Sequence, residues 1–150
     1  MTVELVGSWP KELQAPIGKI VEILDSHKEL DFPDAAINIM LVDDKEIARL
    51  NEEYSGNAYP TDVLTFSYGE EGIEDGELAD IAISLDTARK QADAAGVDLS
   101  DEVALLSLHG ILHSIGYDHQ SEEEMTEVER LQQEIMEKAH LKYRKFDWKH

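Results

Sequence analysis

Three histidines fall within eleven residues of the sequence, in the stretch HGILHSIGYDH at positions 109–119. His109 and His113 are four residues apart in an apolar segment that predicts a buried helix, so their side chains project from one face. Gly116 can adopt a positive φ, which would let the chain fold back and bring His119 to the same point. Three neutral imidazoles leave one position of a tetrahedral zinc ion open for water, which is typical of a catalytic site.

The ligand spacing HxxxHxxGxxH is also that of the metzincin zinc proteases, with one difference. The glutamate that serves as general base in those enzymes is replaced by Gly110, which argues against an ordinary zinc peptidase. Glycine inside a helix costs about 1 kcal/mol relative to alanine. We therefore expect a close approach to the backbone at Gly110, by a strand or the substrate, or else tight packing against a sheet.

Composition restricts the kind of metal site and the class of protein. With 150 residues and 42% hydrophobic content, the chain predicts one domain over residues 1–150. Because it has no cysteine, a metal must be held by nitrogen and oxygen ligands; zinc, nickel, copper and cobalt all suit three histidines. The sequence shows neither a signal peptide nor an apolar run of membrane-spanning length, so we expect a cytoplasmic protein that does not interact with membranes.

The net charge of −20 is unusual for a protein that would bind nucleic acid. Between Arg49 and Arg130 the only basic residues are Arg89 and Lys90, whereas five of the thirteen Lys and Arg residues fall in positions 138–150. The acidic surface is explained either by solubility or a high-salt habitat, or by a functional role, and the first explanation is favoured.

The elements that must position the histidines follow from hydrophobic periodicity. Alternating or continuous apolar runs predict strands at 2–7, 35–42, 61–68 and 78–85, and residues 69–77 are expected to form an exposed turn or a longer excursion. Helical periodicity predicts helices after Pro10, after Asp43, over about 86–95, over about 100–115 and after Ser121. Strands grouped early and helices grouped late indicate an α+β domain, with about four strands in a mixed sheet packed on helices.

Four further polar residues are candidates for the site. Thr61 and Asp62 begin a strand that is otherwise apolar, and they either form hydrogen bonds to substrate at the rim of the cleft or cap the preceding loop. Asp118 precedes His119 and is a candidate catalytic residue that orients this histidine or accepts a proton, unless it only caps the turn. Asp80 either supports a ligating histidine or faces solvent.

The motifs also resemble those of a known family. HGILHSIGYDH resembles the HGxLHLxGYDH signature of the YbeY family, bacterial metal-dependent endoribonucleases that act in ribosomal RNA maturation. The stretch LNEEYSGNAYPTDVLTFSY is similar to the family's LNxxYRxxxxPTDVLSFP region, and LADIAIS is similar to its GDIxIS strand; the resemblance covers about residues 40–135. It implies one zinc ion per chain on His109, His113 and His119, in a cleft of an α+β fold. It also implies single-stranded RNA as substrate, with small-subunit ribosomal RNA, the ribosome and the Era GTPase as partners.

One departure from the family pattern bears on RNA binding. Ser55 stands where the family has an arginine after its tyrosine, and the loss of a guanidinium removes a bidentate contact to phosphate. The histidine signature and the PTDVLTF stretch nevertheless make a zinc-dependent endoribonuclease of ribosomal RNA maturation and ribosome quality control the leading hypothesis. The alternatives are a non-catalytic, ribosome-associated zinc-binding module and a metal hydrolase of another substrate, including peptides, which Gly110 disfavours.

Overall fold

A four-stranded mixed sheet organises residues 1–146, the part of the chain that this computed structural model describes. The last four residues of the predicted domain, 147–150, lie outside the described part. The elements follow one another as β1 (Thr2–Val6), α1 (Lys11–Ser26), β2 (Ala36–Val42), α2 (Asp44–Ser55), β3 (Val63–Ser67), α3 (Gly69–Glu74), β4 (Glu77–Ser84), α4 (Leu85–Ala95), α5 (Leu99–Ser114) and α6 (Glu122–Lys138).

The sheet has the strand order β1-β2-β4-β3. The β1–β2 and β2–β4 pairs are parallel, whereas β3 runs antiparallel to β4 and forms one edge of the sheet. A parallel pair needs a crossover connection, and α1 provides it between β1 and β2. The predicted α+β fold with a mixed sheet packed on helices is therefore confirmed.

Helix α5, which carries the first two histidines, lies at the centre of the core. Twelve of its sixteen residues are buried, because the helix packs on β3 and β4 as well as on α1, α4 and α6. Full burial of one large apolar side chain contributes about 1.5–3 kcal/mol to stability. Because α5 buries several such side chains, displacing it would be costly, and it is a stable support for the histidines that it carries. Among the described residues, no helix combines the length and the apolar character that crossing a membrane requires.

The close approach expected at Gly110 is made by the sheet. A Cβ atom at this position would lie 2.9 Å from Cδ1 and 3.0 Å from Cγ2 of Ile81, and 3.2 Å from Oγ1 of Thr65. Ile81 is fully buried, so it has little room to yield to an added methyl group. Tight packing against β3 and β4 therefore explains the glycine where a peptidase would carry its glutamate.

Helix starts follow the predicted caps in most cases. Asp43 Oδ1 accepts a hydrogen bond from Glu46 N at 2.8 Å, and Ser121 Oγ accepts one from Glu124 N at 3.1 Å. Helix α4 begins earlier than predicted, because Ser84 is its N-cap. The excursion at 69–77 contains the short helix α3, which the sequence did not predict.

One carboxylate, that of Asp44, fastens α2 to the start of α4. Its Oδ1 accepts hydrogen bonds from Ser84 Oγ at 2.5 Å and from Thr87 Oγ1 at 2.6 Å, and Lys90 Nζ lies 3.5 Å from Oδ2. The bonds from Ser84 and Thr87 hold the pKa of Asp44 below its ordinary value.

Candidate metal centre

The three histidines line one cleft of about 340 Å³ between α5, the end of α2 and the edge strand β3. Opposite the imidazoles, its walls are formed by Asn51 and Ser55 of α2 and by the residues that lead into and form β3. Gly116 has φ +105°, as the proposed fold-back requires, and the chain after it returns His119 to the cleft. His109, His113 and His119 thus line the same cleft, and their role as metal ligands stays a prediction.

His109 is held firmly in the core. Its Nδ1 lies 2.8 Å from Oε1 of the fully buried Gln132, and its ring stacks on Phe146 with the centroids 4.3 Å apart and the planes at 16°. Because an amide oxygen can only accept, Nδ1 carries the proton and Nε2 carries the lone pair.

His113 and His119 are more accessible. The Nδ1 atom of His113 donates to the backbone carbonyl of Tyr117 at 3.2 Å, which again leaves the lone pair on Nε2. The Nδ1 atom of His119 lies 3.5 Å from Oδ1 of Asp118, and this oxygen also accepts a hydrogen bond from the His119 amide at 2.8 Å.

The chemistry of this donor set fits a divalent transition metal. Metal-bound histidines usually donate their second ring nitrogen to an oxygen, as His109 and His113 do here. The imidazole rings are farther apart than in an occupied zinc site. The ring centroids of His109 and His119 are 6.2 Å apart, whereas two imidazoles bound to one tetrahedral zinc ion have centroids about 5 Å apart. Accordingly, no three His, Asp or Glu side chains within residues 1–146 enclose a site for an ion. Of the three, His119 is the one that no helix carries, since it lies between α5 and α6.

The other candidate residues have different surroundings. Thr61 lines the cleft, whereas Asp62 is only 2% exposed and its Oδ1 accepts the Val63 amide at 2.8 Å, as a local cap does. Asp118 does not line the cleft; it lies behind His119. A contact of Thr61 or Asp62 with substrate and a catalytic role of Asp118 stay predictions.

Asp80 does not support a histidine in this structure. Its Oδ1 accepts from Asn38 Nδ2 at 3.0 Å and its Oδ2 from the Tyr68 hydroxyl. This hydrogen bond to Asp80 raises the pKa of Tyr68 to about 12. The residue that lies behind a histidine is Gln132, which sequence reasoning missed. A signal was present, since Gln132 is a polar residue on the apolar face that α6 forms with Val128 and Leu131.

The Lys and Arg residues within positions 1–146 do not converge on the cleft. Among the described residues, the lining of the cleft contains no Lys, Arg, Asp or Glu, so its walls are neutral apart from the histidines. Arg49 is bound by Glu46 and Glu53 on the surface of α2, and Lys90 lies beside Asp44. The single hydroxyl proton of Ser55 is shared between two oxygens of Asn51, the backbone carbonyl at 2.8 Å and Oδ1 at 2.7 Å.

Comparison with known proteins places these features in one family. The sequence model described as Endoribonuclease YbeY matches residues 7–140. Curated proteins of that name include one from Bacillus licheniformis, 36% identical over 90% of this chain and 90% of its own length. Another from Thermus thermophilus is 40% identical over 73% of this chain and 80% of its own length. A Thermotoga maritima protein solved in solution superposes with a TM-score of 0.66 at 28% identity, over 92% of this chain and 89% of the other.

Proposed function

The chain belongs to the endoribonuclease YbeY family, and from this we propose that it is a zinc-dependent endoribonuclease that cleaves single-stranded RNA in ribosomal RNA maturation. The observation that carries the proposal is the arrangement of His109, His113 and His119 around one cleft, with the first two fixed in the tautomer that binds metals. Each chain holds one zinc ion on these three residues.

Zinc, when bound, neutralises charge on a phosphodiester oxygen and lowers the pKa of water toward about 7. The protein contributes position and selectivity. Ser55 and Thr61 place hydroxyl groups along the cleft wall, where they contact phosphate and ribose oxygens. The lining carries no carboxylate among the described residues, so RNA in the cleft meets no carboxylate on these walls, although the chain as a whole has a net charge of −20.

The neutral lining also bears on the reaction class. A zinc peptidase uses a carboxylate as general base beside its metal, and the described walls of this cleft provide none. The position where that carboxylate would stand, Gly110, packs against Ile81 and Thr65. This favours phosphodiester over peptide hydrolysis.

A second candidate function is a non-catalytic, ribosome-associated zinc-binding module. It is favoured by the distribution of cations: Ser55 replaces the arginine that the family motif carries, and no Lys or Arg in the described chain lines the cleft in compensation. Because phosphate contacts supply much of nucleic-acid affinity, such a cleft would hold RNA weakly. Under both functions the partners are small-subunit ribosomal RNA and the ribosome in the cytoplasm, with the Era GTPase as a further partner.

Metal content and RNA cleavage, measured on the same samples, separate these functions. Zinc is measured by mass spectrometry for wild type, His113→Ala and His140→Asn, and cleavage of a labelled single-stranded RNA is followed at low and moderate salt. His140 is exposed and does not line the cleft, so it controls for the loss of any histidine.

We expect near one zinc per chain in wild type and His140→Asn, with both zinc and cleavage lost in His113→Ala. Stoichiometric zinc without cleavage in wild type would support the binding module instead. Cleavage that persists unchanged after the metal is removed would refute the metal-dependent reaction.

A further inference from the structure

The segment after α6, residues 141–146, folds back onto the metal centre and lies beyond the family match, which ends at residue 140. We propose that Phe146 in this segment is a positioning residue, which holds the imidazole of His109 in the orientation that binds the metal. The proposal rests on the metal centre argued above and goes beyond it, because it assigns a role to residues outside the family match.

Within the described part of the chain, contacts with Phe146 and Gln132 restrain the His109 ring. Phe146 is 3% exposed and lies against one face of the imidazole, nearly parallel to it, which restricts rotation of the ring out of that plane. Gln132 binds Nδ1 and thereby selects one of the two flipped orientations of the ring. Together these contacts determine where Nε2 lies before any metal arrives.

A buried ion pair anchors the segment that carries Phe146. Arg144 binds the carboxylate of Glu102 with two nitrogens, Nε at 2.7 Å and Nη2 on the second oxygen, and its guanidinium carbon lies 5.2 Å from the centre of the Phe146 ring. Glu102 is fully buried on α5, two turns before His109. A buried carboxylate requires a partner, so Arg144 is held in place and Phe146 with it.

The anchor and the ligand therefore belong to the same helix. Glu102 holds Arg144, Arg144 packs over Phe146, and Phe146 stacks on His109, so the contacts run from α5 through the tail segment and back to α5. Ordering a ligand before binding reduces the entropic cost of binding. His113, which is exposed, has no comparable support among its described contacts.

The test compares Phe146→Leu, which removes the ring, with Phe146→Tyr, which keeps it, in the full chain. Phe32→Leu is the matched control, since Phe32 is a partly buried phenylalanine on the core that does not line the cleft. Zinc affinity is measured by competition with a chromophoric chelator, and the side-chain NMR signals of His109 are recorded in the metal-free protein.

We expect Phe146→Leu to weaken zinc binding by about 10–100-fold, as loss of a residue that supports a ligand does. Phe146→Tyr and Phe32→Leu should stay within about threefold of wild type on the same reasoning. Unchanged affinity in Phe146→Leu, or an equal loss in Phe32→Leu, would overturn the proposal. If the wild type binds no zinc, the metal centre itself fails, and the His109 signals decide separately: unchanged signals in Phe146→Leu overturn the positioning role, and a second ring conformation supports it.

Discussion

Replacing Ser55 by arginine tests directly whether the cleft lacks a phosphate contact. Ser55 is exposed at the end of α2 and lines the cleft, so a longer side chain there can reach a bound RNA without displacing the core. The change removes the hydroxyl bonds to Asn51, which at an exposed helix end stabilise the fold by about 0.5–1.5 kcal/mol. The binding measurement is unaffected by this cost as long as the variant stays folded.

The expected gain comes from one charge-assisted hydrogen bond. Such a bond contributes about 1.5–3 kcal/mol, which corresponds to an affinity for single-stranded RNA about 10–100-fold higher at low salt. One additional phosphate contact on a single strand also steepens the plot of log affinity against log salt concentration by about 0.7. Between 50 and 200 mM salt, Ser55→Arg should therefore lose about 2.5-fold more affinity than wild type does.

The assay is fluorescence anisotropy of a labelled single-stranded RNA over a series of salt concentrations. Ser26→Arg is the matched control: Ser26 is also exposed, its hydroxyl donates to the carbonyl four residues earlier as that of Ser55 does, and it does not line the cleft. Both variants change the net charge equally. If Ser26→Arg matches Ser55→Arg in affinity and salt dependence, the gain is only a change in overall charge and the reasoning about the cleft is refuted.

Three further predictions concern stability in urea unfolding. Gly110→Ala should lose about 1 kcal/mol, because overpacking of about 1–3 kcal/mol exceeds a helix-propensity gain of about 1 kcal/mol. By contrast, Gly18→Ala, where an added Cβ meets nothing within 4 Å, should gain about 0.5–1 kcal/mol; a stabilised Gly110→Ala would contradict the packing argument. Arg144→Met should lose about 3 kcal/mol, because the buried carboxylate of Glu102 loses its cation and keeps only the hydrogen bond from Gln91. A double change with Glu102→Met should recover part of this loss, and a double variant as unstable as the single one would be inconsistent with the argument. Since the pKa of Asp44 is lowered on folding, its carboxylate stabilises the fold above its ordinary pKa of 3.8, and this contribution is lost as pH falls through the folded-state pKa. Wild type should therefore lose more stability than Asp44→Asn below about pH 4, and parallel pH profiles would speak against it.

Local sequence patterns predicted the elements where periodicity was strong. The four strands and the long helices were predicted close to their observed bounds, because one face or the whole of each is apolar. Helix α3 was missed because its sequence, GEEGIE, is acidic, contains two glycines and has one apolar side chain. The strand order could not be predicted from the sequence. Strands β2 and β4 pair although α2, β3 and α3 lie between them in the chain, and tertiary packing decides that pairing.

The candidate site was likewise predictable where it depends on local sequence and unpredictable where it depends on tertiary contacts. The spacing of His109 and His113 is local and fixed by helix geometry, and Gly116 lets the chain return, so the placement of both histidines and of His119 along one cleft followed from the sequence. The contacts of Gln132 and Phe146 with His109 join residues that are far apart in the chain, and no local pattern contains them. The sequence places five of the thirteen Lys and Arg residues in positions 138–150, yet Arg144 among them turns inward to Glu102.

The charge distribution determines how this chain can bind RNA. Many of its cations are paired with carboxylates, as Arg49, Arg130 and Arg144 are, so they have limited capacity to bind phosphates. A protein that relies on 6–10 phosphate contacts loses about 10³–10⁵ in affinity between 50 and 200 mM salt. A neutral cleft depends on short-range contacts instead, and these are screened much less. An acidic surface and RNA binding are therefore compatible in this chain, provided that the affinity comes from the cleft. The affinity for RNA should then fall only slightly as the salt concentration rises. Such a cleft would still bind RNA at high salt, where a protein that relies on many phosphate contacts would not.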